Sequence, residues 1–419
     1  MQRAGLVPFY LSINNSAAGI AHLIKVTNCQ AVLVGPQGNS ASVDKNVQEA
    51  LSLLKADGFQ DLQTVQWPQD HVYTQGLDLD TSLPVLPADL DRPSLIIHSS
   101  GTSSLYPKPI VQTERAIRAY MHLPHYTDAD LYNQVLFVGH LPPAHAMAAC
   151  MTHVAACGAV VGFMEPRTPP LPTTPQRLLK ALLAFDGCKT IVPPALIEAL
   201  LRDEQLHESF KRLKRFWYGG GPMSSGAAEQ CLKLGVRPYS LLGSTEIACP
   251  TKIFSESEQL PWDVIRLSKQ AKMKWRPVEG EPGFFEMLAA PNLPNYQPMV
   301  LNDTFEGEPV FATGDRCQIV DSPEGETWVR MLGRIDAGLV LSTGEKTNPD
   351  PMLNCIRKSK LVDEAIMFGQ ARTHNGVLIQ LAANVQIDGR DDKQLAKFRN
   401  EIWPFVEEAN AIAPTHSVM

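Results

Sequence analysis

Short apolar runs recur along this chain with helical patterns between them: Ala31 to Val34, Leu95 to Ile97, Val135 to Val138, Val160 to Phe163, Thr190 to Val192 and Arg215 to Tyr218. A strand covered on both faces reads as a continuous apolar run, so this rhythm predicts an α/β architecture with a largely parallel sheet. The Pro-rich segments Leu83 to Pro93 and Glu165 to Pro175 interrupt it and read as surface connections. From Gly283 the texture changes to strand-like pieces with turns, and after Arg334 to a compact α+β unit. There Asp350 and Pro351 read as the N-cap and first-turn proline of a helix carrying Met352, Leu353 and Ile356, and GVLIQLAANV supplies a strand. The expected fold is a large α/β lobe with a β-rich section over residues 1–332, followed by a small α+β subdomain over 333–419. A chain of 419 residues can bury cores for both.

Charge narrows the partners. Lys and Arg number 37 against 44 Asp and Glu, a net charge of −7 with no basic tract, so nucleic acid is not an expected partner. The eight cysteines are scattered from Cys29 to Cys355 without metal-like spacing and read as reduced thiols of a cytoplasmic protein. The first residues, MQRAGLVPFYLSINNS, lack the apolar core of a secretory signal. Ala146 to Met164 is long and apolar, but its Ala, Gly and Cys content with His153 in the middle fits a buried helix better than a bilayer span.

The stretch from Ile96 to Ile110, IIHSSGTSSLYPKPI, runs from an apolar strand into six consecutive Ser, Thr or Gly residues and then to Lys108. Small residues let the main chain approach an anion, hydroxyls add donors, and the lysine adds charge. An ordinary polar surface loop has the same composition. A P-loop is excluded because no G-x-x-x-x-G-K-[ST] occurs, and a serine hydrolase because no G-x-S-x-G elbow occurs.

Downstream lie WYGGGPM (Trp217 to Met223), LLGSTE (Leu241 to Glu246), ATGD (Ala312 to Asp315) and GRIDAGLVLSTGEKTNP (Gly333 to Pro349). This ordered series resembles the adenylate-forming superfamily, most nearly the adenylation domains of fungal nonribosomal-peptide-synthetase-like carboxylic acid reductases, the group that includes aminoadipate reductase. The resemblance covers nearly the whole chain. It implies ATP-dependent activation of a carboxylic acid to an acyl adenylate with release of pyrophosphate, in secondary metabolism. Both reactants are anionic, so positioning and charge neutralisation must carry most of the catalysis.

The resemblance also implies roles. Ser99, Ser100, Gly101, Thr102, Ser103 and Ser104, with Lys108, would cradle the β- and γ-phosphates; Thr245 would touch the α-phosphate and Glu246 hold Mg²⁺. Gly219, Gly220, Gly221 and Pro222 would let backbone approach the adenine, Asp315 would accept the ribose hydroxyls, and Arg334 would reach ribose or phosphate. His145 matches a histidine beside the acyl pocket, against the alternative of a satisfied core histidine. Asp336, followed by Gly338, would be the hinge of the small unit. His122 and His125 have no partnering carboxylate motif and are assigned no metal. Relatives that activate amino acids carry an aspartate near His145 for the α-ammonium. Phe137 to Ala148 contains no acid, so an aryl, keto or fatty acid is the expected substrate.

Three departures accompany the resemblance. Ser104 replaces a glycine of the phosphate loop and Tyr106 is an additional residue; Leu242 stands where a tyrosine usually offers adenine an aromatic face. Third, both ends read as short: Gln2 to Ser16 resembles a motif that the family normally precedes with a further stretch of domain, and the terminal lysine motif would begin just after Met419, where losing such a charge donor costs about 10²–10³ in rate. Binding of Mg²⁺ and ATP through Lys108, Thr245, Glu246, Asp315 and Arg334 is therefore expected to outlast catalysis. The alternative is an impaired remnant that binds nucleotide, acyl ligand or a separate carrier protein.

Overall fold

The computed structural model describes residues 5–35, 41–59, 62–66, 89–99, 106–121, 130–165, 171–254, 260–335 and 339–419. At the start, β1 (Ala31–Val34) and β2 (Gln63–Gln66) form a parallel pair beside the helices Ala17–Val26 and Ala41–Ala56. Next, β3 (Pro93–Ser99) and β4 (Lys108–Thr113) pair antiparallel, with Ser99 opposite Lys108. The Ser/Thr/Gly loop thus connects a hairpin, whereas the apolar run before it predicted a parallel strand. The segment around Phe9 lies along β3: Tyr10 N–H donates to the Ile96 carbonyl at 3.3 Å and Ile96 N–H to that of Pro8 at 2.9 Å.

The parallel sheet comprises β5 (Val135–Phe137), β6 (Val160–Gly162), β7 (Lys189–Val192), β8 (Arg215–Tyr218) and β9 (Arg237–Ser240), in the spatial order β6-β5-β7-β8-β9. Successive side chains on these strands enter different cores. Leu136, Ile191, Trp217 and Tyr239 join one cluster, while Phe137, Val192, Phe216 and Tyr218 join the other. Side chains alternate across a strand, so apolar residues at both parities demand cover on both faces. That is the physical content of the unbroken apolar runs.

The larger sheet is antiparallel. It comprises β10 (Val264–Arg266), β11 (Lys272–Pro277), β12 (Phe285–Ala290), β13 (Asp303–Phe305), β14 (Glu308–Val320) and β15 (Trp328–Arg334), in the order β10-β15-β14-β12-β11 with β13 on β14. The expectation of a largely parallel sheet therefore holds for the β1–β2 pair and for β5 to β9 only.

The last section opens with the hairpin β16 (Leu339–Val340) and β17 (Lys346–Thr347), followed by β18 (Val362–Phe368) and β19 (Gly376–Leu381). Its core gathers Met352, Leu353, Ile356, Val362, Ala365, Met367, Ile402, Val406 and Ala409. The helix carrying Met352 begins at Pro349, so Asp350 lies inside it and is not its N-cap. A proline whose φ is already helical starts a helix where its missing N–H costs nothing.

The apolar stretch from Ala146 also differs from expectation. It is an eight-residue helix, Ala146–His153, then a 3₁₀ turn, Val154–Cys157, then β6. Gly158, at φ +78°, makes the turn between them. Among the described residues no helix is long and apolar enough to cross a membrane.

Candidate active site

Ligand clefts in open α/β sheets lie at the carboxyl ends of the strands, and this sheet follows that rule. The loops after β5, β8 and β9 carry His145, Gly220 and Thr245–Glu246, and all four residues line one cavity of about 150 Å³. Ser12, Asn14 and Asn15, His98 and Ser99, and Gly344, Glu345, Lys346 and His416 of the small unit complete its wall.

The loop after β9 is held rigidly from several sides. Buried Thr251 clasps Leu242 twice: its hydroxyl accepts from the Leu242 N–H at 2.8 Å and donates to the Leu242 carbonyl at 3.0 Å. Ser244 Oγ accepts from the N–H of Glu246 at 3.3 Å, a local turn that serine side chains favour. From the antiparallel side, Met299 N–H donates to the Glu246 carbonyl at 2.7 Å and the buried Tyr296 hydroxyl to that of Ile247 at 2.8 Å. Replacing Thr251 by Val should lower unfolding stability by about 1–3 kcal/mol, because the part-buried Leu242 amide then loses its acceptor. Denaturant titration measures this, and an unchanged midpoint would remove Thr251 from the account.

His145 caps the helix Ala146–His153. Its Nδ1 accepts from the Met147 N–H at 3.2 Å, so the neutral ring carries its proton on Nε2. Burial holds the His145 pKa below the ordinary imidazole value, and the negative charge of Glu345 works against that shift. His98 is a second neutral ring. Ser12 N–H donates to its Nε2 at 3.0 Å, and burial again lowers its pKa while Glu345 opposes. His140 is structural: it is buried, its Nε2 donates to the Ile191 carbonyl at 2.8 Å, and its pKa falls to about 4.

Of the residues singled out by sequence, the cavity brings together Ser99, His145, Gly220, Thr245 and Glu246. Ser100, Gly101, Thr102, Ser103, Ser104 and Asp336 lie outside the described residues, as do His122 and His125. Lys108 sits exposed on β4, beside the wall instead of in it. The additional Tyr106 stacks on His22 with ring centroids 4.9 Å apart and so anchors the end of the loop.

The glycine triplet answers to protein packing as well as to any ligand. A Cβ on Gly219 would lie 2.5 Å from the Leu241 side chain, and one on Gly221 would lie 2.4 Å from the Leu341 carbonyl. Pro222 is not on the cavity wall either. Leu242 packs against Ile247, Ile265, Leu267 and Val329 and turns away from the cavity, so its replacement of an aromatic residue removes no ring from the wall. Asp315 and Arg334 face each other across β14 and β15 at 3.2 Å, both largely buried, outside the wall.

Several lining residues escaped the sequence reading. Glu345 and Lys346 lie within the LSTGEKTNP motif, so their position in the chain was marked but not their direction. His98 sits beside the Ser/Thr/Gly loop and Ser12, Asn14 and Asn15 lie within the Gln2 to Ser16 stretch, while His416 carries no local signal. Among the described residues no cluster of three His, Cys, Asp or Glu could hold a metal ion.

Comparison with known proteins adds the following. Residues 1–304 match the family model of the AMP-binding enzyme, and residues 336–419 that of the AMP-binding enzyme C-terminal domain. The chain is 29% identical over 427 residues to adenylate-forming reductase Nps10 of Heterobasidion annosum, covering 100% of this chain and 38% of that protein. It is 31% identical over 435 residues to adenylate-forming reductase Nps9 of Serpula lacrymans, covering 99% and 38%. The chain thus spans 38% of the length of the curated relatives it matches. A solved malonyl-CoA ligase, a ternary product complex with methylmalonyl-CoA and AMP bound, shares the fold with a TM-score of 0.70 at 18% identity, covering 100% of this chain and 84% of that one.

Proposed function

The chain belongs to the family of AMP-binding enzymes, and we propose that its cavity uses ATP to activate a small carboxylic acid, forming an acyl adenylate and releasing pyrophosphate. The observation that carries this reading is the convergence of Ser99, His145, Gly220, Thr245 and Glu246 on one cavity at the carboxyl edge of the parallel sheet. In the reaction a substrate carboxylate oxygen attacks the α-phosphorus, a P–O bond forms, and the bond to pyrophosphate breaks. Thr245, on its clamped loop, would donate to the α-phosphate; the Ser/Thr/Gly hairpin and Lys108 opposite Ser99 would hold the outer phosphates.

A single carboxylate on a rigid loop fits Mg²⁺, which keeps several waters and takes one or two protein carboxylates plus substrate phosphates. Glu246 would hold it, and the ion would neutralise the phosphate charge that repels the incoming acid. Asp315 and Arg334 would meet the ribose by exchanging part of their mutual pairing. Residues 333–419 would turn on Asp336 as a unit, in a cytoplasmic protein of secondary metabolism.

For the acid, an aryl, keto or short acyl group suits the wall. Met147, Ile191, Leu241, Ala248 and Cys249 contribute apolar side chains to it. Phe137 to Ala148 offers no carboxylate to an α-ammonium. Glu345 reaches the cavity from the small unit, with His98, His145 and His416 as its neighbours. Desolvating an ammonium without its own counter-charge is costly.

Calorimetry with Mg²⁺ and ATP, followed by pyrophosphate exchange over benzoate, phenylpyruvate, hexanoate and common α-amino acids, tests this reading. We expect nucleotide binding, and exchange with the aryl, keto or acyl acids above that with amino acids. Absence of ATP binding would overturn the function, and preference for amino acids would overturn the substrate class.

A further inference from the structure

Forming the adenylate requires no base, because a carboxylate carries no proton at neutral pH. The small unit nevertheless brings a carboxylate and an imidazole to the cavity, Glu345 and His416. Their geometry is specific. His416 Nε2 lies 3.2 Å from the Lys346 carbonyl, which can only accept, so the ring's proton is on Nε2 and Nδ1 holds a lone pair. Nδ1 is buried without a hydrogen-bond partner and lies 3.6 Å from Glu345 Oε2. Two electron-rich atoms facing each other become a favourable pair once a proton sits at Nδ1.

The imidazole is also fixed in place. Thr415 donates to the Asn14 carbonyl through its N–H at 3.0 Å and its hydroxyl at 2.6 Å, and the hydroxyls of Ser417 and Thr347 bond at 2.8 Å. The other titratable groups on this wall are Lys346 from the same hairpin, His98 from β3, His145 from the helix cap, and Glu246 and Cys249 from the loop after β9. Glu345 is 30% exposed and His416 is 12% exposed, so the carboxylate is the member open to the cavity.

We propose that Glu345 and His416 form the base of a second half-reaction, in which a protic nucleophile, a thiol or an amine, takes the acyl group from the adenylate. This rests on the activation reading above. The nucleophile's S–H or N–H proton passes to Glu345 and on to His416 Nδ1. The new S–C or N–C bond forms as the acyl C–O bond to phosphate breaks, and AMP leaves with that electron pair. Because both residues belong to the small unit, the base exists only when that unit is docked.

The test supplies preformed benzoyl-AMP, so that it does not depend on ATP chemistry, and measures AMP release with N-acetylcysteamine, with benzylamine, and with 4-nitrothiophenol, which is already ionised at pH 8. His416→Gln and Glu345→Gln should each slow transfer to N-acetylcysteamine or benzylamine by about 10²-fold, the usual worth of general-base catalysis. Transfer to the ionised aryl thiol should be far less affected, and the loss should shrink as pH rises towards the alkyl thiol's own ionisation. Activity with the thiol alone, or with the amine alone, identifies the acceptor and supports the base. The inference is overturned if the wild type binds benzoyl-AMP but serves neither acceptor. It is equally overturned if the variants match wild type, or if they lose alkyl and ionised aryl thiols alike. Failure of the wild type to bind benzoyl-AMP would instead overturn the activation reading, and this one with it.

Discussion

Replacing Glu246 by Gln should lower ATP–pyrophosphate exchange by about 10²–10³-fold, the loss expected when one preorganised charged group is taken from a transition state. The effect should be confined to chemistry. Glu246 is held through its backbone, by Met299 and Ser244, while its side chain lines the cavity. Gln keeps the shape and removes only the charge that would hold Mg²⁺. The checks are the exchange rate as a function of Mg²⁺ and the unfolding midpoint, which should not move. A fall smaller than about tenfold would mean that another group neutralises the phosphates, and the role given to Glu246 would be wrong.

The second large effect is mechanical. Gly344 has φ +87°, and a Cβ there would stand 2.5 Å from the Gly220 carbonyl oxygen and 2.6 Å from its carbon. Gly344→Ala therefore combines a strained backbone, about 1–3 kcal/mol, with a collision against main chain that cannot rotate away. The Leu341–Gly344 turn should be forced off the glycine triplet and the small unit displaced. Small-angle scattering should show a larger radius of gyration, and protease should cut more readily between Arg334 and Leu339. Gly280→Ala is the control: its φ is +76° but nothing lies within 4 Å of the added carbon. If the two variants behave alike, strain alone accounts for both and the seam is not what holds the small unit.

The parallel sheet could be read from the sequence because strands covered on both faces are continuous in their apolar character, and Arg215–Tyr218 matches its strand to the residue. Ala31–Val34 also matches its strand, but that strand pairs with β2 outside the sheet and is half exposed. The antiparallel character of β3 and β4 could not be read, since a seven-residue apolar strand looks the same in either direction. The stretch after Ala146 misled for a related reason: a helix, a turn and a strand that are largely apolar merge into one run, and Gly158 marks the break between turn and strand. The site divides the same way. Thr245 and Glu246 stand in a loop whose motif is local, and both line the cavity. Asp315 and Arg334 were read as two separate ligand groups, whereas register across β14 and β15 makes them each other's partner. Glu345 and His416 meet across 71 positions of sequence, and spacing carries no trace of that encounter.

The cavity draws on segments from Ser12 through His98, His145, Ile191, Gly220, Thr245 and Glu345 to His416, and the Asn14 carbonyl is bonded to Thr415, 401 positions away. Contacts of such long range form late, because the entropy of closing the intervening chain must be overcome before they contribute. During synthesis the parallel sheet can assemble as soon as its strands emerge, but no ligand can bind to the finished cavity until His416 has left the ribosome. A ligand that needs the complete wall therefore cannot serve as a template for early folding. Its stabilising influence begins only when nearly all of these segments are already in place, as protection of a completed fold against reopening.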